Sequence, residues 1–248
     1  MSTASNNASL RQVWIHGGGN DVTMPSESIF DGSRLVARSA TVPADQSEPV
    51  IMVAIGYRMG GLGFMAMPEL TAESSHNSSG NYGLLDQIFA LKWVKRNIQS
   101  FGASQTPRMV VFGESAGAYD ISTLLASPLA TGLFDGAIME STYQVFNWVT
   151  LAQSEKTGTA CAALHNCQNN NTLACMRALS AEDAYNCQAK ILNSVSNGLE
   201  HLTMPNVDEC VMPWAPRPCF NAKLRPCTRF QSPSPSANSH HAYHAVTF

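Results

Sequence analysis

The chain has 248 residues, 44% hydrophobic and only 13% charged, which is enough for one α/β domain with a sizeable core. A net charge of −3 provides no electrostatic footprint for nucleic acid or for a polybasic membrane surface. No apolar run approaches the length of a membrane span.

The first residues, Met1 to Ser9, are polar and lack the apolar stretch of a secretory signal, so residues 1–10 are expected to be a disordered N-terminus. Val13-Trp14-Ile15 then runs into His16-Gly17-Gly18-Gly19. Pro49–Ile55 is a second continuous apolar run, and such runs suit parallel strands covered on both faces. Leu84, Leu85, Ile88, Leu91, Val94 and Ile98 recur at three and four, which predicts a helix ending near Phe101-Gly102. Strands are expected over Pro107–Phe112 and Leu133–Met139, with a helix over Ala116–Leu125 between them. Alternation of this kind builds a mostly parallel sheet with flanking helices.

The stretch that organises the chain is Val110-Val111-Phe112-Gly113-Glu114-Ser115-Ala116-Gly117. An apolar strand leads into Gly-x-Ser-x-Gly and a helix follows, the context a nucleophile elbow requires. Ser115 at the apex of that turn would project its hydroxyl from the sheet, and Gly113 and Gly117 leave no Cβ to collide there. The helix starts just behind Ser115, so its free N–H groups favour negative charge beside the hydroxyl. Acyl transfer also needs amide donors for the oxyanion. Ala116, next to the nucleophile, and Gly18 and Gly19 of the upstream triplet are the candidates.

Longer motifs surround these two. Pro49–Phe64, Gly80-Asn-Tyr-Gly-Leu-Leu-Asp-Gln87, Ala90–Gly102, Phe112–Gly117 and Ser127–Ser141 resemble the type-B carboxylesterase family, which includes cholinesterases and the large fungal lipases. The likeness is strong over residues 11–150 and weak over 150–213. It implies an α/β-hydrolase core, incomplete at both ends, and carboxylic ester hydrolysis through a serine acyl-enzyme without cofactor or metal. It also implies a small-molecule ester or lipid substrate, no nucleic-acid partner, and secretion, although this chain shows no signal. Family members are about twice as long, and their acid and histidine lie beyond the point where the likeness stops. Neither residue is therefore assigned, and the chain is expected to be a truncated member with impaired activity. The alternative is a catalytically silent cholinesterase-like binding module or a non-functional fragment.

The family's short-loop disulfide maps onto Cys167 and Cys175, with two reduced buried thiols as the other possibility. None of the seven cysteines shows the paired CxxC spacing of a zinc site. Asn7, Asn77 and Asn170 begin glycosylation sequons. Asn20 stands where the family has an aromatic residue, which is expected to alter a pocket wall, and Gly56 stands where it has Asn. Asp120 replaces a small Ser and is expected to face solvent or a polar neighbour. Glu114 is expected to be buried and hydrogen-bonded. Glu140 ends the strand from which some hydrolases of this fold supply an acid. The histidines after Ser115 are His165, His201 and the trio His240, His241 and His244. Phe89, Tyr119, Phe146 and Trp148 would line a gorge or fill core. Residues 11–213 are thus expected to form the partial hydrolase domain. Residues 214–248, rich in Pro and Ser and without periodicity, are expected to be a disordered tail.

Overall fold

The computed structural model describes residues 8–43, 49–142, 148–168, 171–187, 191, 203–213 and 243–247. A five-stranded sheet has the order β2-β1-β3-β4-β7. Its strands are β1 (Ala8–Ile15), β2 (Val50–Ile55), β3 (Ala103–Glu114), β4 (Gly136–Glu140) and β7 (Tyr243–Thr247). The first four are mutually parallel, and β7 runs antiparallel on β4, with Met139 opposite His244. The mostly parallel sheet matches the sequence expectation, with two differences at its limits. β1 begins at Ala8, inside the stretch expected to be unstructured, because pairing with β3 continues past the apolar residues. Part of the expected disordered tail, residues 243–247, adds a strand, because β4 offers an open edge whose backbone groups can be paired.

Helices follow from the same residues that gave the periodicity. They are α1 (Ser33–Thr41), α2 (Gly60–Phe64), α3 (Pro68–Glu73), α4 (Tyr82–Asn97) and α5 (Ala116–Ala126). Leu84, Ile88, Leu91 and Val94 of α4, with Ala118, Ile121 and Leu124 of α5, pack with Val13, Ile15, Met109 and Val111 into the main core. Fully burying an aliphatic side chain of this size stabilises by about 1.5–3 kcal/mol. After α4 the chain tightens into a 3-10 turn, Ile98–Phe101, and stops at Gly102. Gly102 sits at φ 92 and donates to the Gln99 carbonyl at 3.0 Å, where a side chain would be strained.

A second lobe contains α6 (Leu151–Leu164), α7 (Thr172–Arg177) and α8 (Ala181–Tyr185) beside a small parallel pair, β5 (Val149–Thr150) and β6 (Asn206–Val207). Thr150 and Gln153 close a capping box at the start of α6. Cys167 and Cys175 are joined as the resemblance implied, and a second bridge, Cys161–Cys187, links α6 to the end of α8. No helix among the described residues is long and apolar enough to cross a membrane.

The aromatic expectations divide. Tyr119 is buried and stacked on Trp148 at 4.5 Å between ring centroids, whereas Phe89 is 65% exposed and neither lines a cavity nor fills core. Phe146 lies outside the described residues.

Candidate active site

The register of β1 on β3 builds the site. Ile15 lies opposite Gly113, so the glycine loop after β1 and the turn after β3 leave the sheet side by side. Gly17 abuts that turn: a Cβ on it would meet the Glu114 carbonyl oxygen at 2.6 Å and Ser115 Cβ at 3.1 Å. Gly117 is equally confined, because its Cβ would lie 2.1 Å from the Ile15 carbonyl oxygen and 2.8 Å from that of His16. The two motifs, a hundred residues apart in sequence, are one local structure.

Ser115 adopts φ 55 and ψ −121 between β3 and α5. That region is sparsely populated for a residue with a Cβ, and holding it there costs on the order of 1–3 kcal/mol. Tertiary bonds hold it. The Ser115 amide donates to the Glu140 carbonyl at 3.0 Å, and the Tyr119 amide donates to the Ser115 carbonyl at 3.0 Å. Ser115 occupies the N-cap of α5, yet its hydroxyl makes no cap hydrogen bond. A serine at that position normally spends its oxygen on the helix end.

The loop opposite is wound by left-handed residues, Gly18 at φ 97, Gly19 at φ 66 and Asn20 at φ 56. The Gly18 carbonyl accepts from the amides of Asp21 and Val22, at 3.1 and 3.0 Å, and the Gly19 carbonyl accepts from Thr203 Oγ1 at 2.6 Å. With those carbonyls engaged, the amides of Gly18, Gly19 and Ala116 have no hydrogen-bond acceptor among the described residues. They are the three amides that the sequence singled out as oxyanion donors.

Beneath the loop lies a buried polar brace that the sequence did not suggest. Asp120 of α5 is fully buried. Asn20 Nδ2 donates to its Oδ1 at 2.9 Å, and Gln87 Nε2 of α4 donates to its Oδ2 at 2.5 Å. The Tyr57 hydroxyl bridges Asn20 Oδ1 and the His16 carbonyl, 2.8 Å from each. Burial pushes the Asp120 carboxyl up to about 7, and the two amide donors only partly offset it. Burial also raises Tyr57 and lowers His16, which keeps the phenol and the imidazole neutral. His16 Nδ1 lies 2.9 Å from the Gly17 carbonyl and 3.0 Å from Thr23 Oγ1, and its ring stacks on Tyr57 at 4.6 Å.

The structure decides between the two surroundings expected for Asp120: it takes the polar neighbours, because α5 turns it toward the loop. Other expectations are corrected. Asn20 is buried and spent inside this brace. Glu114 is exposed, not buried, because it ends β3 on the solvent side of the turn. Glu140 meets Ser115 through its backbone carbonyl. Of the histidines whose side chains are described, none hydrogen-bonds Ser115: His16 is engaged with its own loop, and His76 Nδ1 lies 3.1 Å from Ser75 Oγ. His165 caps the end of α6, where its Nε2 is buried near Cys161 and Cys187. Those sulfurs are bonded to each other, so the trio offers no thiolate to a metal. His201, His240 and His241 lie outside the described residues.

The sequence profile of the Carboxylesterase family matches residues 4–232. The chain is 40% identical to the cocaine esterase of Oryctolagus cuniculus over 174 residues, which is 69% of this chain and 29% of that protein. It is 41% identical to the para-nitrobenzyl esterase of Bacillus subtilis over 174 residues, 69% of this chain and 32% of that one. A solved PNB esterase superposes with a TM-score of 0.71 at 34% identity, covering 86% of this chain and 42% of that chain. The chain thus spans about a third of the length of these curated relatives.

Proposed function

Because the chain belongs to the carboxylesterase family, we propose that it carries the nucleophile and oxyanion parts of a serine ester hydrolase. Ser115 Oγ attacks the carbonyl carbon of a carboxylic ester. The carbonyl oxygen gains the negative charge and is received by the amides of Gly18, Gly19 and Ala116. Collapse of the tetrahedral adduct breaks the bond to the alkoxy oxygen, which leaves as the alcohol. Water then hydrolyses the acyl-serine and restores the hydroxyl. The observation that carries this reading is the backbone of Ser115, held at φ 55 and ψ −121 with its hydroxyl unused by the helix it caps. The base that takes the serine proton and the acid that orients it are not assigned.

Substrates are carboxylic esters of small molecules or lipids. That class is supported by the activities for which relatives are named, among them a fumonisin B1 esterase from Sphingopyxis macrogoltabida, 41% identical over 146 residues, 59% of this chain and 25% of that protein. One observation favours a second reading, a catalytically silent module: none of the histidines whose side chains are described engages Ser115. A fluorophosphonate probe separates the two. The esterase reading expects a label on Ser115 that a short-chain ester blocks and that S115A abolishes. A folded chain that takes no label overturns it in favour of the silent module.

A further inference from the structure

Asp120 is a costly residue for its position. A fully buried carboxylate needs a cation or several donors, and this one has two neutral amides. A merely structural side chain at an inward helix position would be apolar or hydroxylic. The three segments that Asp120 joins are the ones whose relative placement the site depends on. Asn20 directly follows Gly18 and Gly19. Asp120 sits on the helix that starts behind Ser115. Gln87 belongs to α4, which packs against α5. Asn20 cannot drift within this arrangement, since its amide nitrogen is bound by Asp120 and its oxygen by Tyr57.

We infer that Asp120 is a positioning residue: through Asn20 it holds the glycine loop in register with the helix behind Ser115. The inference rests on the ester-hydrolase reading for its consequence, though not for its geometry. Ionised, the carboxylate accepts from both amides with charge assistance, roughly doubling the strength of a neutral bond. Protonated, it must donate once. Gln87 Oε1 is buried without a partner, and a rotation of that amide would bring it to the acid, where 2.5 Å suits an O–H···O bond. Asn20 keeps its acceptor in both states and is held more tightly in the ionised one. Among the described residues, the other titratable groups facing Asp120 are Tyr57, from the segment after β2, and Tyr119, on α5 itself. Both are raised by burial and by the carboxylate's charge, so they stay neutral while Asp120 titrates. His16, stacked behind Tyr57, is neutral as well.

The test uses the full chain and reads two quantities across pH: the second-order rate of Ser115 labelling by a fluorophosphonate, and amide hydrogen exchange over residues 17–23. N20A and D120A are expected to label about tenfold more slowly or worse while still unfolding cooperatively, with faster exchange in the loop. D120N keeps an acceptor for Asn20 but cannot ionise. The ratio of parent to D120N labelling rates should stay near one below the Asp120 midpoint of about 7 and rise several-fold above it. A ratio flat with pH, or loop exchange unchanged in N20A and D120N, overturns the inference. Should the parent take no label, the ester-hydrolase reading fails while the exchange measurement still decides this one. If D120A does not fold, N20A and D120N carry the test.

Discussion

Gly117 rests against Ile15 so closely that a methyl group on its Cα would sit 2.1 Å from the Ile15 carbonyl oxygen. This contact, between a helix that follows β3 and the last residue of β1, locks the serine turn to the glycine loop. The obstructing atom is backbone in a central strand, so the clash cannot be relieved by a rotamer change. G117A should therefore lose about 1–3 kcal/mol of stability, measured as a lower urea midpoint with an unchanged slope. G19A is the matched control for space, since nothing lies within 4 Å of its missing Cβ; its penalty comes from φ 66 alone.

Ser115 offers a test of backbone strain that is separate from catalysis. At φ 55 a Cβ is unfavourable, and glycine removes it. S115G should be more stable than S115A by about 1 kcal/mol, although both lose the hydroxyl. Equal thermal midpoints for the two variants would show that the turn is not strained at this residue.

Asp120 makes stability depend on pH with a definite sign. In the folded chain it keeps its proton up to about pH 7, against an ordinary value of 3.8, so between those limits the folded state binds more protons than the unfolded one. Its contribution is complete below pH 3.8, falls as pH rises toward 7 and levels off above. D120N lacks that decline. It should match the parent near pH 4 and exceed it at pH 8 by on the order of 2–4 kcal/mol. Urea titrations at several pH values check this, and parallel parent and variant curves would refute it.

The two disulfides close loops of different size, with Cys161 and Cys187 26 positions apart in sequence and Cys167 and Cys175 8 positions apart. On chain entropy the longer loop is worth about 3.5 kcal/mol and the shorter about 2.5 kcal/mol. C161S/C187S should accordingly speed hydrogen exchange across α6 more than C167S/C175S does. Exchange in β1 and β3 should respond to neither.

Leu85, Phe89 and Trp93 lie four residues apart along α4, all exposed, and Phe101 continues the strip 6.1 Å from Trp93. Such a continuous apolar strip favours self-association. F89Q/F101Q should reduce concentration-dependent light scattering while shifting stability by no more than about 0.5 kcal/mol per site. Scattering that persists at the parent level would place the sticky surface elsewhere.

The elbow and the glycine triplet were readable because each is local: a short run of residue types dictates a turn, and flanking apolar periods name the strand and helix around it. The buried brace was not readable in the same way. Asp120 lies on α5, and the only hint of its partner was another departure from the family pattern at Asn20, a hundred residues earlier. Polarity alone argues for solvent unless the partner is known. Cys161 and Cys187 lacked any spacing signal, since a bridge between them depends on how α6 and α8 pack. Phe89 was misjudged because spacing along one element does not say which neighbour covers which face, and Glu114 because the family pattern around the serine does not fix its exposure. The strand at residues 243–247 belongs to a segment whose composition gave no period, and its order comes from the edge of β4.

Thr203 reaches back across 184 residues to hold the Gly19 carbonyl. On a ribosome, β1 through β4 and the serine turn would all have been made well before that hydroxyl emerges. Until then the glycine loop lacks one of the contacts that orient its peptide planes, and loop closure over such a span is among the slower steps of assembly. The site is therefore a late product of synthesis: the nascent sheet precedes the competence of its own apex.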